Sequence, residues 1–256
     1  MIFLKDKFGK LKNKHLGEEC YIFGDGVSLK YFDLNKFNDK PSIVSNNFIF
    51  HKHFNKLNIK YYAIYEPFWF LPIFVAGFKG IKFMLNRIQR AHIKKFKSNP
   101  EITFFTDISN SLRIKGDNIL YLEKSFFQEY LPNSLKKTDV FRGSLRIEIS
   151  LAIFLGFKKA YLVGHDYTHS ESLSSHFYEI GKGTRRPHNN WNKEFFNSIK
   201  GYIDLTTVTL NGGADSISSI SYKEFTNDLP FYKENNEIVE KESLEILSSW
   251  PYYDIY

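Results

Sequence analysis

Short apolar runs alternate with longer helical patterns along most of the chain, and this alternation constrains the fold more than any other feature. Strand-like runs stand at Glu19–Phe23, Ser42–Ser45, Tyr61–Tyr65, Ile102–Thr106, Asn118–Leu122, Lys159–Val163 and Thr206–Leu210. Helical patterns fall between several of them, at Gly80–Phe96, Gly143–Leu155 and Asn190–Tyr202, and the basic N-terminal segment to about Lys14 suits a short amphipathic helix. Strands separated by helices run parallel, and a parallel sheet must be covered on both faces. The expected fold is α/β, a Rossmann-like, mostly parallel sheet with helices on both faces. A chain of 256 residues suits one domain spanning 1–256 with a sizeable core. No repeat, low-complexity tract or shift in composition marks a linker. The polar stretch 167–190, rich in Ser, His and Gly, is long for a connection and reads as a lid over a binding site.

Two strand ends carry the chemistry. The first strand breaks into Gly24-Asp25-Gly26-Val27-Ser28. Glycines there serve either a plain tight turn or a close approach of backbone N–H groups to phosphate oxygens. A lone Gly-x-Gly does not decide between them. The third glycine of the dinucleotide fingerprint is absent, and so is a Walker-A sequence, which disfavours NAD and ordinary P-loop chemistry. The second end closes the passage GSLRIEISLAIFLGFKKAYLVGHDYTHS, residues 143–170. Ile147, Leu151, Phe154 and Leu155 recur at helical spacing, Gly156 stops the helix, and the buried strand AYLVG runs into His165-Asp166-Tyr167. Ligands of open parallel sheets sit outside such carboxyl ends. Asp166 is therefore a site candidate, with a turn cap as the plain alternative.

Composition sets limits. Thirty-five Lys and Arg against 28 Asp and Glu leave a net charge of +7, which fits a phosphate-bearing ligand, a nucleic acid or an anionic membrane surface. No nucleic-acid recognition motif supports the second of these. The single Cys20 rules out an internal disulfide or a cysteine metal site and reads as a small buried hydrophobe. The first residues lack the apolar core of a signal peptide. The most apolar stretch, Tyr61–Phe83, is broken by Pro67 and Pro72 and carries Glu66, Lys79 and Lys82, so it does not read as a membrane span. A cytoplasmic protein is expected. Basic residues from Lys79 to Lys97 beside the aromatic EPFWFLPIF would also suit a peripheral contact with anionic lipid at the inner face of the membrane, although core packing and a solvated helix face are the plainer readings. The mildly acidic end, after Phe231, reads as an appended helix with an aromatic tail, packed on the body or on another subunit of a homo-oligomer.

The segments GDGVSLK, Ser45-Asn46-Asn47 and Gly143-Ser…LGFKKAYLVGHDY resemble the bacterial family 42 sialyltransferases. They are also similar to the wider group of 6-hydroxymethylpterin diphosphokinase-like and motility-accessory-factor proteins. The likeness runs in islands over residues 19–178. It implies a metal-independent glycosyltransferase with no cofactor, which takes a CMP-linked acidic sugar as donor and a glycan or lipid-linked glycan as acceptor, in surface-glycan assembly of the lipopolysaccharide or capsule type. By the resemblance, Gly24, Asp25, Gly26 and Ser28 line the nucleotide, Asn46 and Asn47 contact it, and Gly143-Ser144 face the sugar. Asp166 and Tyr167 sit near ribose or phosphate. Ser175-His176-Phe177-Tyr178 resembles the lid motif, which makes His176 the general base. This sequence departs from the family's pattern at Asp25, Val27, Glu66-Pro67 and Phe141-Arg142, all near the donor.

The chemistry is coherent. CMP is already a good leaving group, so the transfer needs a base that titrates near neutrality and donors for the departing phosphate. His176 suits the first role, and Tyr167, Tyr178, Arg142 and Arg185 are available for the second. His165, His169, His176 and His188 lie within 24 residues, but their spacing matches no ligand motif, and no metal site is expected. Two alternatives stay open: an ATP-dependent diphosphokinase-like phosphotransferase, and a non-catalytic glycan-binding or assembly protein.

Overall fold

The structure is a computed structural model that describes residues 2–71, 81–136, 140–187 and 192–256, without the side chains of 2–5, 81–86 and 136. Among these, the strands are β1 (Glu19–Phe23), β2 (Ser42–Ser45), β3 (Ile59–Ile64), β4 (Thr103–Asp107), β5 (Ile119–Leu122), β6 (Lys159–Val163), β7 (Glu171–Ser174), β8 (Thr184–Pro187), β9 (Asp204–Thr209) and β10 (Ser218–Ser221). The helices are α1 (Ile2–Leu11), α2 (Ile81–Ser98), α3 (Lys124–Glu129), α4 (Asn133–Lys136), α5 (Ser144–Leu155), α6 (Lys193–Ser198), α7 (Tyr222–Thr226), α8 (Asn235–Ile238) and α9 (Lys241–Leu247).

Eight strands form one parallel sheet in the order β10-β9-β6-β1-β2-β3-β4-β5. The α/β Rossmann-like expectation holds. Alternate residues feed opposite faces: Tyr21 and Phe23 enter one apolar cluster, Cys20 and Ile22 the other. Each fully buried aromatic or aliphatic side chain adds about 1.5–3 kcal/mol, so two such clusters dominate stability. On the Tyr21 face α2 presents Ile88, His92 and Phe96 at i, i+4 and i+8, while Arg87, Arg90, Lys94 and Lys97 face water. Of EPFWFLPIF, Phe70 is buried and Phe68 is 47% exposed; residues 72–80 lie outside the described ones.

The opposite face carries α5, which is buried almost all round from Leu145 to Leu155. Gly143, at φ +90°, turns the chain into that helix, and Gly156, at φ +91°, ends it in the left-handed conformation that favours glycine.

The chain builds from β1 outward to β5 and then returns to place β6 on the other side of β1. The order therefore reverses between β1 and β6. That reversal opens a crevice at the carboxyl ends of the two strands, where Gly24–Gly26 and Gly164–Asp166 emerge.

The segment expected as a lid carries the antiparallel pair β7–β8. The C-terminal segment packs on the body: Ile238, Val239, Leu244, Leu247 and Ile255 join the Tyr21-side cluster. No described helix is long and apolar enough to cross a membrane.

Candidate active site

The two strand-end turns are locked together. Gly24 N–H donates to Val163 O at 2.9 Å and Gly26 N–H to Gly164 O at 2.8 Å. A Cβ at Gly24 would lie 2.6 Å from Gly164 O, and one at Gly26 would lie 2.5 Å from both Gly164 O and an Asp166 carboxylate oxygen. Gly26 itself has an ordinary extended backbone, φ −65° and ψ 156°. The glycines are therefore required by close approach of the second turn rather than by a positive φ, and what crowds the Gly-x-Gly backbone is the chain's own Gly164–Asp166.

Asp166 joins the turns through Oδ2, which accepts from Ser28 N–H at 2.8 Å; its Oδ1 is buried with no hydrogen-bond partner among the described residues. The hairpin side closes the ring. Gly26 forms an antiparallel bridge with His176, and Phe177 N–H donates to Asp25 O at 3.0 Å.

These contacts enclose a cavity of about 390 Å³ lined by Gly24, Asp25, Gly26, Asn46, Ser144, Gly164–Tyr167, Ser172–His176, Arg186 and Pro187. Two further cavities adjoin it through shared residues. One, of about 420 Å³, lies between Arg142–Arg146, Tyr167 and Asn192. The other, of about 220 Å³, is lined by Asn46, Glu66, Pro67, Gly143 and Ser144 among others. Ser144, at the first turn of α5, borders all three. Unsatisfied N–H groups and the positive end of the helix dipole gather at such a turn.

His176 is half-buried over this cavity. Its Nδ1 lies 2.8 Å from Glu179 Oε2, which also accepts from His176 N–H at 2.7 Å and from the Ser175 hydroxyl at 2.9 Å. The ring stacks on Tyr178 at 5.0 Å, with Tyr253 at its edge. Burial works against the imidazolium, but the Glu179 hydrogen bond and the negative charges of Asp25, Glu179 and Asp166 outweigh it and raise the pKa. Burial likewise opposes the Glu179 carboxylate, yet its bonds to His176 and Ser175 hold it down at about 2. Nδ1 is engaged, which leaves Nε2 for a ligand. Ser175, at φ +93°, and Asn46, at φ +49°, border the cavity in left-handed backbone that is costly for a serine and better tolerated by asparagine.

The structure thus brings Gly24, Asp25, Gly26, Asn46, Ser144, Asp166, Tyr167 and His176 to one cavity and puts Arg142 and Gly143 on its neighbours. Four expected residues lie elsewhere. Ser28 is fully buried and holds Asp166 through its backbone. The Asn47 side-chain amide donates to the hydroxyls of Tyr178 at 3.1 Å and Tyr253 at 2.9 Å, while its N–H donates to Asp25 Oδ2 at 2.9 Å. Asn47 and Tyr178 therefore support the Asp25 turn and the His176 ring from beneath. Arg185 points to the far side of the hairpin and pairs with Glu171 at 3.1 Å, whereas the cavity receives Arg186. His188 lies outside the described residues. No group of three or more His, Cys, Asp or Glu suited to a metal occurs among the described residues.

Sequence reasoning missed two acids and a tail. Glu148, on α5, is fully buried with an oxygen 3.5 Å from His165 Nε2. Burial pushes its carboxyl up to about 8, with the Ser45 hydroxyl opposing and the charge of Asp25 adding to the rise. Burial also lifts Asp25 to about 7, against the pull of His176 and the Asn47 N–H. A lone glutamate within the apolar run SLRIEISLAIFL was the available signal. Glu179, three residues after His176, was visible as a neighbour but not as its partner. The tail reaches the site through Asp254 N–H, 3.3 Å from Glu179 Oε1, a contact no local pattern announces.

No protein-family model matches the chain, and no curated protein matches it. Among solved structures it is similar to the sialyltransferase CstII from Campylobacter jejuni in complex with cytidine-5'-monophosphate, at 18% identity and TM-score 0.48, covering 91% of this chain and 98% of that one. It is similar to the monofunctional alpha-2,3-sialyltransferase Cst-I from Campylobacter jejuni at 17% identity and TM-score 0.47, covering 86% of each chain. It is also similar to the MAf glycosyltransferase from Magnetospirillum magneticum AMB-1 at 13% identity and TM-score 0.48, covering 93% of this chain and 38% of that one. At such identities and TM-scores the likeness by itself assigns no activity.

Proposed function

We propose that the protein is a glycosyltransferase that moves an acidic sugar from a CMP-activated donor to a hydroxyl of a glycan acceptor, without a metal ion, and that His176 is its general base. The observation that carries this reading is the His176–Glu179 pair, set over a cavity at the point where the strand order reverses. A base whose second ring nitrogen is held by a carboxylate is oriented and kept in one tautomer, and the imidazolium that forms on proton uptake is stabilised.

The acceptor oxygen attacks the anomeric carbon, the bond from that carbon to the phosphate oxygen breaks, and CMP leaves with the electron pair. His176 takes the acceptor proton. Tyr167, Arg142 and Arg186 border the cavities and stabilise the departing phosphate. Gly143, Ser144 and the α5 N-terminus face the sugar carboxylate, an anion suited to that end of a helix. Asn46, Asp25 and the two glycines line the nucleotide. The acidic donor and the exposed basic stripe of α2 fit a surface-glycan acceptor met at an anionic membrane face.

A thermal-shift panel of CMP, CDP, UDP, GDP and ATP, each with and without magnesium, tests the reading. A ligand that binds the native state raises Tm by mass action. CMP or CDP should stabilise without metal. Stabilisation by Mg-ATP alone would replace the reading with a phosphotransferase, and a flat response to every nucleotide would leave a non-catalytic glycan-binding protein.

A further inference from the structure

We infer that Glu148, buried beneath the cavity, is a positioning residue that sets the tautomer of His165 and thereby aims the Tyr167 hydroxyl proton into the cavity. The inference deepens the proposed function, since it rests on Tyr167 serving the donor phosphate.

Three groups form a line. Glu148 Oε2 is 3.5 Å from His165 Nε2, and His165 Nδ1 is 3.3 Å from the Tyr167 hydroxyl. Glu148 and His165 are 0% and 1% exposed. Neither Glu148 oxygen nor His165 Nε2 completes a hydrogen bond among the described residues; the two side chains face each other at 3.5 Å with the Ser45 hydroxyl beside the carboxyl. Because buried polar atoms left unpaired are costly, that approach is the pairing a small side-chain shift would complete. Tyr167 is 42% exposed as a residue and borders two of the cavities, while its hydroxyl faces inward to His165.

Protonation states fix the direction of the chain. Burial and the neighbouring His169 hold His165 down at about 3, so its ring is neutral and carries one N–H. Glu148, pushed up to about 8, keeps its proton at neutral pH. The Glu148 hydroxyl then donates to His165 Nε2, and the ring proton sits on Nδ1 and points at the Tyr167 oxygen. The Tyr167 O–H is left to donate outward, as a phosphate oxygen requires. Loss of the Glu148 proton reverses the order. A carboxylate accepts only, the ring proton moves to Nε2 to face it, and Nδ1 becomes an acceptor that draws the Tyr167 proton inward. One proton leaves to solvent and the cavity loses one donor.

Other groups also face this line. Asp25 comes from the β1 turn, Ser45 from the end of β2, Tyr62 from β3, and His169 and Asp166 from the turn after β6. Asp25 titrates nearby, so the test has to separate it from Glu148.

Two measurements on the full chain do so. Nitrogen-15 spectra of histidine-labelled protein report which ring nitrogen is protonated. His165 should hold its proton on Nδ1 at pH 6.5 and shift it to Nε2 as pH rises through about 8. Glu148→Gln, whose amide still donates, should keep the Nδ1 form at every pH. Asp25→Asn should retain the step, shifted to lower pH. In parallel, wild-type affinity for CMP should fall about tenfold above the step, as one charge-assisted bond is lost. Glu148→Gln should remove that fall, and Tyr167→Phe should show the weaker affinity throughout. An Nε2 proton at pH 6.5, or a step that survives Glu148→Gln, overturns the inference. A correct tautomer step in a protein that binds no CMP at any pH leaves the positioning intact and overturns the donor reading instead.

Discussion

The two ends of the same sheet make an instructive contrast. At the amino ends of β6, β9 and β10 lies a cavity of about 630 Å³, larger than the one at the carboxyl ends of β1 and β6. Its charged groups, Lys200, Asp204 and Asp215, are exposed, and Lys159 is half-exposed. The smaller cavity carries the buried Asp166, the half-buried Asp25 with a carboxylate oxygen sealed from solvent, the His176–Glu179 pair and two non-glycine residues in left-handed backbone, with Glu148 and His165 against its floor. Burying ionisable groups and twisting a serine backbone both cost stability. A fold bears such costs where a site demands them, so the concentration of unfavourable features marks function better than volume does.

The strongest way to break the contrast is His176→Ala. Loss of a positioned base should lower kcat on the order of 10²–10⁴-fold with donor affinity little changed. The wild-type rate should rise with pH through the raised His176 pKa, since only the neutral ring accepts a proton, and the variant should lose that limb. Asp204→Ala, at the amino edge, should leave both kcat and its pH profile in place. Equal losses from the two substitutions would abolish the distinction between the ends.

Asp25→Asn sharpens the same point in stability. The native pKa of Asp25, about 7, stands above its ordinary value of 3.8, so the folded state holds the proton more tightly than the unfolded chain. Its stabilising contribution is complete below 3.8 and is lost as pH rises through about 7. The variant should gain little Tm at pH 4 and progressively more up to pH 8. Parallel curves for the two proteins would mean that the carboxyl is solvated in the native state.

Gly26→Ala comes next, at about 1–3 kcal/mol, the usual cost of forcing atoms into a packed site. Its new methyl group would collide with Gly164 O and Asp166. Gly9, in α1, has nothing within 4 Å of its virtual Cβ, so Gly9→Ala should stabilise by about 0.5–1 kcal/mol. Urea melts of both variants check the pair, and a neutral Gly26→Ala would show that the two turns are not packed as described.

Much of this architecture could be read from the chain. The bounds of β1, β2 and β6 coincide with the apolar runs, because buried parallel strands leave an unbroken apolar signature. β10, with the sequence Ser-Ser-Ile-Ser, was not legible; it lies at the sheet edge, where only one neighbour constrains it. The hairpin β7–β8 hid in polar residues for a related reason, as its strands carry serines and arginines and little apolar surface. Within the site, the glycines and His176 were visible, while their partners depended on long-range contacts: Asp166 reaches Ser28 across 138 residues and Glu179 reaches Asp254 across 75.

The hairpin also supplies the smallest effect. Side chains alternate across a strand, so neighbours on β8 look in opposite directions. Arg186 lines the cavity beneath His176, and Arg185 sits on the far side in an exposed pair with Glu171. From sequence alone the two arginines are equivalent, and Arg185 was the one expected to meet phosphate. Their surroundings now separate them. If CMP occupies the cavity as proposed, Arg186→Ala removes a cation from its lining and should weaken CMP binding about tenfold, more at low than at high salt. Arg185→Ala breaks only a surface ion pair, so it should change stability by less than about 1 kcal/mol and leave CMP affinity within about twofold. Isothermal titration at two salt concentrations, with the wild type alongside, reads both arms. If Arg185→Ala gives the larger loss, β8 is out of register by one residue, and the assignment of cavity-facing residues from Thr184 to Pro187 has to be inverted.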